Sequence, residues 1–441
     1  MRPRPELPVG LAVWRSLALA ATAVVVHALG LATPTQAYCA YLANSESNFI
    51  SVIDTATNTV SATIEEQCSF GRCDPGGLAL TPDGHFLFVT NGGTDDHQGN
   101  TVSVIDTATN TVVATIAVGV GPALPAITPD GRFAYIPNQG FSEHGQPGLT
   151  VSVIDTAKAL SDASSAVIQT MQFDSTPLTV AFSPDSRFAY ISTFTATTGA
   201  VTVLDTATNT VQSTVSGDGG FLAITPHGDF LYGAMDVVVV TDTAKALSDP
   251  THAVIDTITV GTFPFDAAVS PDGHFVYVVN CGQGCFDGAV SGSGISIINT
   301  TSNTIASTVP LSPQNDPVSL AITPDGRFAY VANSFADTVT VIDTAKALTN
   351  PAEAIITTIS VEARPFDVAI ASLPMCVGGH PTCVGDCRVD RQVTVDELLT
   401  MVNIALGNAE VLGCQAGDRD GGGQITIDEI LTAVNNALNG C

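Results

Sequence analysis

Two stretches near the C-terminal end place oxygen-bearing residues at the spacing that a calcium ion requires. Ca²⁺ gathers several oxygens at fixed offsets, with a bidentate carboxylate at the twelfth loop position and a glycine bend at the sixth. The first stretch offers Asp386, Asp390, the Gln392 carbonyl, Thr394 and Glu397. The second offers Asp418, Asp420, the Gln424 carbonyl, Thr426 and Glu429, with Gly423 at the bend. Arg388 and Arg391 occupy the third and sixth positions of the first loop, and Gly422 the fifth of the second. Each loop therefore loses a side-chain ligand. Ca²⁺ is the expected cofactor, held more firmly by the second loop than by the first.

Elsewhere the chemistry is sparse. His85, His97, His144, His227, His252, His274 and His380 are scattered, and His85 and His274 stand where Arg132 and Arg327 stand in sister segments. The sequence has no phosphate-binding glycine loop, no Gly-x-Ser-x-Gly and no haem-attachment motif. The only lysines, Lys158, Lys245 and Lys346, sit in Lys-Ala-Leu triplets that suit one-turn helices with the amine in solvent; the competing reading is a cationic ligand site. Asp266 and Asp367 each follow Pro-Phe at the start of an apolar run. Such carboxylates either line a cation or sugar site or serve as strand-entry turn residues.

What positions these groups is a tandem repeat. The phrase from Thr323 through Asn333 recurs around Pro82, Pro129, Pro184, Pro226 and Pro271, with a period of roughly 40–55 residues. A second phrase, Thr101 to Asn110, recurs with ends at Asp54, Asp155, Asp205, Asp242, Asn299 and Asp343. Each repeat parses into four strands, a to d, exemplified by Val318–Thr323, Phe328–Ala332, Thr338–Asp343 and Thr111–Ile116. A Thr-Pro-Asp-Gly turn joins a to b, and a Thr-Ala-Thr-Asn turn joins c to d. Alternation within b and c supplies apolar faces to both neighbouring sheets.

The inner strands number seven of each kind. The segment Tyr38–Asn44 is a b-strand with no turn before it, and Asp367–Ser372 an a-strand with no turn after it. Pairing these orphans closes a ring and removes an exposed edge. The expected fold is therefore all-β, a seven-bladed β-propeller over 38–375 closed by its N- and C-terminal strands, followed by a small α calcium-loop domain over 376–441. In that closure Ile370 matches Ile322 and Cys39 matches Phe328, which brings Cys376 near Cys39 for a disulfide. The phrases Tyr330-Val331-Ala332-Asn333, Val-Ile-Asp-Thr and Thr-Pro-Asp-Gly resemble the YVTN family of β-propeller repeat proteins, across about Tyr38–Ser372. The resemblance implies a secreted or surface-associated propeller and leaves activity open, because related propellers include lactonases, cofactor-bearing enzymes and binding scaffolds.

Past Pro374, Val393–Leu399 echoes Ile425–Leu431, and each leads into a helical pattern: Leu398, Val402 and Ala405 in one, Ile430, Val434 and Ala437 in the other. With the two loops, the pair resembles a dockerin-type or EF-hand-like module. Dockerins present Ser-Thr pairs where this chain has Val395-Asp396 and Ile427-Asp428, which argues against cohesin binding.

Arg2, Arg4 and Arg15, the apolar stretch Leu17–Leu31 and Pro34-Thr35-Gln36-Ala37 read as a signal peptide over 1–37, cleaved before Tyr38. The formal charge is −28; losing three arginines and Glu6 leaves 11 basic against 41 acidic residues. That charge makes nucleic acid and anionic lipid poor partners and cations better ones, and no span of the membrane is expected after signal cleavage. All ten cysteines survive cleavage and suggest disulfides. Cys68–Cys73 and Cys281–Cys285 are local pairs, and Cys383, Cys387, Cys414 and Cys441 remain for the C-terminal module. The favoured reading is a secreted or cell-surface, non-catalytic scaffold that binds an extracellular protein or carbohydrate. The alternative is a propeller enzyme such as a lactonase, with a divalent metal in its channel.

Overall fold

A computed structural model describes residues 38–371, apart from 67–72, 95–96, 142–145, 196–198, 218, 284, 286–291 and 313, together with 395–405, 430, 433 and 434. The described strands form seven antiparallel sheets of four. In blade I, β1 (Cys39–Asn44), β2 (Phe49–Asp54) and β3 (Thr59–Glu65) join the last strand, β28 (Pro365–Ala371). Blade II is β4 (Pro75–Leu80), β5 (Phe86–Thr94), β6 (His97–Asp106) and β7 (Thr111–Ala117). Blade III is β8 (Ala126–Ile127), β9 (Phe133–Phe141), β10 (Gln146–Asp155) and β11 (Val167–Gln172). Blade IV is β12 (Thr176–Phe182), β13 (Phe188–Phe194), β14 (Gly199–Asp205) and β15 (Thr210–Ser216). Blade V is β16 (Phe221–Ile224), β17 (Phe230–Ala234), β18 (Val238–Asp242) and β19 (Val254–Ile258). Blade VI is β20 (Pro264–Val269), β21 (Phe275–Asn280), β22 (Gly294–Asn299) and β23 (Thr304–Pro310). Blade VII is β24 (Pro317–Ile322), β25 (Phe328–Asn333), β26 (Thr338–Asp343) and β27 (Ile355–Ser360). The a-strands β4, β8, β12, β16, β20, β24 and β28 lie each against the next, and β28 returns to β4, so they form the wall of a central channel.

The seam closes in the expected register. Ala40 faces Ile370 across β1 and β28, as Ala329 faces Ile322 across β25 and β24. Blade III departs from expectation: its a-strand shrinks to Ala126–Ile127, with one isolated bridge from Pro122 to Asn138. Pro122 and Pro125 have no N–H to give, and a ladder cannot run through them.

The third residue of each b-strand fills the gap between blades: Tyr41, Phe88, Tyr135, Tyr190, Tyr232, Tyr277 and Tyr330, all at most 2% exposed. A buried phenol needs a partner. Tyr330 donates to Asn58 Oδ1 at 2.6 Å, Tyr232 to Asn303 Oδ1 at 3.0 Å, and Tyr135 to Asn209 Oδ1. Those asparagines end the c–d turns with φ between 52° and 54°, the left-handed conformation that Asn tolerates. One residue type thus makes the turn and bonds the neighbouring blade.

The Asp that ends six of the c-strands, and Asn299 in blade VI, caps whatever follows. In the tight turns Asp54 and Asp106 accept the N–H two residues on. In three blades Asp155, Asp242 and Asp343 instead cap one-turn helices, α1 (Thr156–Ser161), α2 (Thr243–Ser248) and α3 (Thr344–Thr349). Their lysines, Lys158, Lys245 and Lys346, are exposed on separate blades and form no common ligand site.

Beyond the ring the structure describes α4 (Val395–Ala405) and helical residues at 430, 433 and 434. Met401 and Ile404 are the buried positions of α4, whereas Ala405 is exposed; Ala433 is buried and Val434 is 37% exposed. The buried faces are thus turned by about a residue from the sets Leu398–Val402–Ala405 and Ile430–Val434–Ala437. Asp386, Asp390, Gln392, Thr394, Asp418, Asp420, Gln424, Thr426 and Glu429 lie outside the described residues. Glu397 is in α4, but its side chain lies outside them too. The signal-peptide segment 1–37 and Cys376, Cys383, Cys387, Cys414 and Cys441 are likewise outside.

Candidate active site on the channel wall

The a-strands present one matching position to the channel wall from every blade. Backbone pairing fixes it: Leu78 faces Val89, Val180 faces Ile191, Leu222 faces Gly233, Ala267 faces Val278, Leu320 faces Val331 and Val368 faces Leu42. The residue before each of these is Gly77, Thr179, Phe221, Asp266, Ser319 and Asp367, and blade III contributes Leu124 at that slot. Three consecutive blades, VI, VII and I, therefore carry Asp, Ser and Asp.

The structure brings Asp266 and Asp367 onto the same hydroxyl. Ser319 Oγ lies 3.0 Å from Asp266 Oδ2 and 2.8 Å from Asp367 Oδ1. The Leu320 N–H donates to Asp266 Oδ2 at 2.9 Å, and the Leu78 N–H to Asp367 Oδ2 at 2.8 Å. The Ala267 N–H and the Val368 N–H complete the set at 2.8 Å each. Each aspartate therefore also clips the next blade, much as Thr179 Oγ1 accepts the Leu222 N–H at 3.3 Å. Both aspartates are half-buried: packed strands crowd them while a part of each stays accessible. Burial, and then the Asp367 charge, push the Asp266 carboxyl up to about 7. Burial pushes Asp367 up to about 6, against the donors that pull it down. Half-exposed aromatics stand nearby. Phe221 and Phe265 rings are 4.6 Å apart, and Phe265 meets Phe366 edge-on at 6.3 Å.

The electrostatics of the surrounding face follow from topology. In a four-stranded antiparallel blade the b–c and d–a connections share one face, and the a–b and c–d turns the other. Glu46, Asp74, Asp174, Asp236, Asp337 and Glu362 lie on the b–c/d–a face that leads to the site. Arg364 there is paired with Glu46 at 3.0 Å and lies over the Phe335 ring at 4.3 Å. The other described Lys and Arg side chains are on the opposite face, as are His85, His227, His252 and His274, of which His227 and His252 share blade V in different turns.

A divalent metal fits the channel pair poorly. Its two carboxylates already accept four backbone N–H groups and the serine, and no third ionisable ligand stands on the strands around them. Among the described residues, the one cluster of three metal-ligating groups is Cys281, Cys285 and Asp316. The two cysteines are joined in a disulfide, as the spacing predicted, and are not thiolate ligands. Cys39 and Cys73 are disulfide-bonded as well, with partners outside the described residues.

The sequence pointed to Asp266 and Asp367 but missed Ser319, whose signal was its register with both. It also missed Glu66, which is 2% exposed and accepts a hydrogen bond from Ser103. Burial pushes its carboxyl up to about 7.

Seven four-stranded sheets closed by the two ends of the domain define a β-propeller. No family model matches the chain. It is 32% identical over 282 residues to the seven-bladed β-propeller protein Rv1057 of Mycobacterium tuberculosis, covering 57% of this chain and 67% of that one. The chain belongs to the family of that seven-bladed propeller protein. Among solved structures it is similar to the periplasmic gluconolactonase of Pseudomonas aeruginosa, with 20% identity, a TM-score of 0.57 and coverage of 77% and 100%. A putative 6-phosphogluconolactonase from Bacteroides uniformis gives 19% identity, a TM-score of 0.57 and coverage of 76% and 100%. Hydrazine synthase from Kuenenia stuttgartiensis gives 21% identity, a TM-score of 0.55 and coverage of 69% and 96%. At these identities the likeness is one of fold. Among the described residues no helix is long and apolar enough to cross a membrane.

Proposed function

We propose that this propeller is an exported hydrolase of ring esters, a lactonase in the broad sense, centred on Asp266, Ser319 and Asp367. The sequence alone favoured a non-catalytic scaffold. The observation that carries the change is the pair of carboxyls held near neutrality on either side of one hydroxyl. Opening a lactone needs a base for water and an acid for the leaving ring oxygen, each working best near the ambient pH. Solved propellers of this fold include a gluconolactonase and putative 6-phosphogluconolactonases, which supports the same reading. Phe221, Phe265 and Phe366 offer apolar faces for a sugar ring. The acidic approach and the engaged Arg364 favour an unphosphorylated lactone over a phosphorylated one.

The test is a pH-stat assay of the full chain on gluconolactone and on its 6-phosphate, against spontaneous hydrolysis. Acceleration of the uncharged lactone is expected, with Asp266→Asn and Asp367→Asn each reducing kcat by ~100-fold or more. No rate above background on either lactone overturns the reading. A scaffold is the second reading, favoured by the clips from Asp266 to Leu320 and from Asp367 to Leu78. It expects the same substitutions to lower the melting temperature with no activity to lose.

The remaining features belong to the same proposal. The segment 1–37 directs export, the repeats are of the YVTN type, and 376–441 is a dockerin-like module that binds Ca²⁺ without engaging cohesin.

A further inference from the structure

We propose that Asp266, Ser319 and Asp367 hold a single shared proton, and that Ser319 relays it to reset an acid–base couple after each turnover; the catalytic half of this rests on the lactonase reading.

A proton count carries the argument. Ser319 Oγ is within hydrogen-bond distance of a carboxylate oxygen on each side, at 3.0 and 2.8 Å. A serine hydroxyl has one hydrogen and donates one bond. Were both aspartates ionised, one of the two contacts would set oxygen against oxygen with no hydrogen between, at a serine only 4% exposed. One further proton satisfies both. The shorter contact assigns the serine hydrogen to Asp367, so the extra proton sits on Asp266 and is donated to Oγ. The strands around the pair hold no cation to offset it: β4, β20, β24 and β28, with their partners β1, β5, β21 and β25, contain no Lys, Arg, His or Glu and no further Asp, and Arg364, which precedes β28, is paired with Glu46. The raised affinities of both carboxyls for protons agree with this count.

The same chain of bonds closes a catalytic cycle. Water adds to the lactone carbonyl as its proton passes to the Asp367 carboxylate. The ring C–O bond breaks, and the ring oxygen takes the Asp266 proton, giving a hydroxy acid. Asp367 is then protonated and Asp266 ionised. Asp367 gives its proton to Ser319 Oγ as the Ser319 hydrogen moves to Asp266, which restores the starting state without any external acid or base.

The decisive experiment follows the aspartate carboxyl carbons of ¹³C-labelled full-length protein by NMR through a pH titration. The wild-type pair should take up protons in two separated steps, the upper one near neutrality. Asp367→Asn should move the Asp266 step to lower pH by removing its negative neighbour. Two independent steps in the range of exposed aspartates overturn the shared proton, and this wild-type measurement needs no variant to fold. For the relay, Ser319→Ala should lower steady-state kcat at least ~10-fold while the first turnover, which starts from the loaded state, keeps its rate. Ser319→Thr should restore kcat. An unchanged kcat in Ser319→Ala overturns the relay. If the wild type hydrolyses no lactone, the hydrolase reading fails, and the titration still decides the shared proton.

Discussion

Glu66 lies where an acid is costly. In six blades the backbone N–H after the outer strand reaches across to the start of the c-strand, and the residues making that bond are Glu66, Val118, Phe173, Gly217, Leu311 and Val361. Apolar side chains fill this slot in four of these blades, and in blade IV it is Gly217. Glu66 instead has Ser103 as donor to Oε2, while Oε1 has no partner among the described residues. Burial raises its carboxyl from 4.5 to about 7. A raised carboxyl pKa means that the folded protein binds the proton more tightly than the unfolded chain does. The associated stability is thus complete below about pH 4.5 and is lost as pH climbs through 7. At ~1.4 kcal/mol per pKa unit, the loss amounts to ~3 kcal/mol. Glu66→Gln, which is neutral throughout, should melt near the wild-type temperature in acid and pull ahead by roughly 5 °C above neutrality. Using the difference between the two proteins cancels the parallel contribution of Asp266 and Asp367. Melting curves recorded from acid to about pH 8 decide the matter. A difference that does not change with pH would refute the reasoning, because Glu66 would then titrate alike in both states.

Gly77→Ala should destabilise the ring by ~1–3 kcal/mol, since a Cβ there would lie 2.4 Å from Pro125 Cδ and 2.7 Å from Leu124 Cα; a thermal melt reads this, and an unchanged midpoint contradicts the close approach. Non-reducing peptide mapping should link Cys39 to Cys376, and any other partner rejects the disulfide at the seam. Millimolar Ca²⁺ should raise the melting temperature of the C-terminal transition in the full chain, with Glu429→Ala removing most of the rise. Flat curves would remove the calcium proposal. A chain ending near Pro374 should keep cooperative β-sheet unfolding, and its loss would show that the last segment is part of the ring.

The repeat made the ring legible because identical local physics recurs in every blade. A Thr-Pro-Asp-Gly turn dictates its hairpin wherever it occurs, and two strands lacking such a turn had only each other to pair with. Register followed from the same alignment, down to Ala40 opposite Ile370. The shortened β8 shows the limit: Pro122 and Pro125 were in plain view, but the repeat phrase outweighed them. The site was half legible. Carboxylates at Asp266 and Asp367 announce chemistry by type, whereas Ser319 is one hydroxyl in a chain rich in them. Its role appears only when three blades are set side by side, because the bonds run between repeats separated by about 50 residues in the chain. Glu66 was hidden for a similar reason, since its burial depends on the packing of blade II against blade I.

The pairing of β1 with β28 also imposes an order in time. The first strand of the ring meets its partner more than 300 positions later in the chain. At synthesis rates of ~5–20 residues per second, that partner emerges tens of seconds after β1. During this interval Cys39 through Asn44, six residues that end fully buried, have no native a-strand to cover them. Contacts this distant in sequence slow folding, because the closure entropy is lost before any pairing is gained. Blades II to VII can each assemble from contiguous chain, but blade I waits. The vulnerable species is therefore an open ring with one bare edge, and the yield of folded protein should depend on whatever shields β1 until β28 arrives.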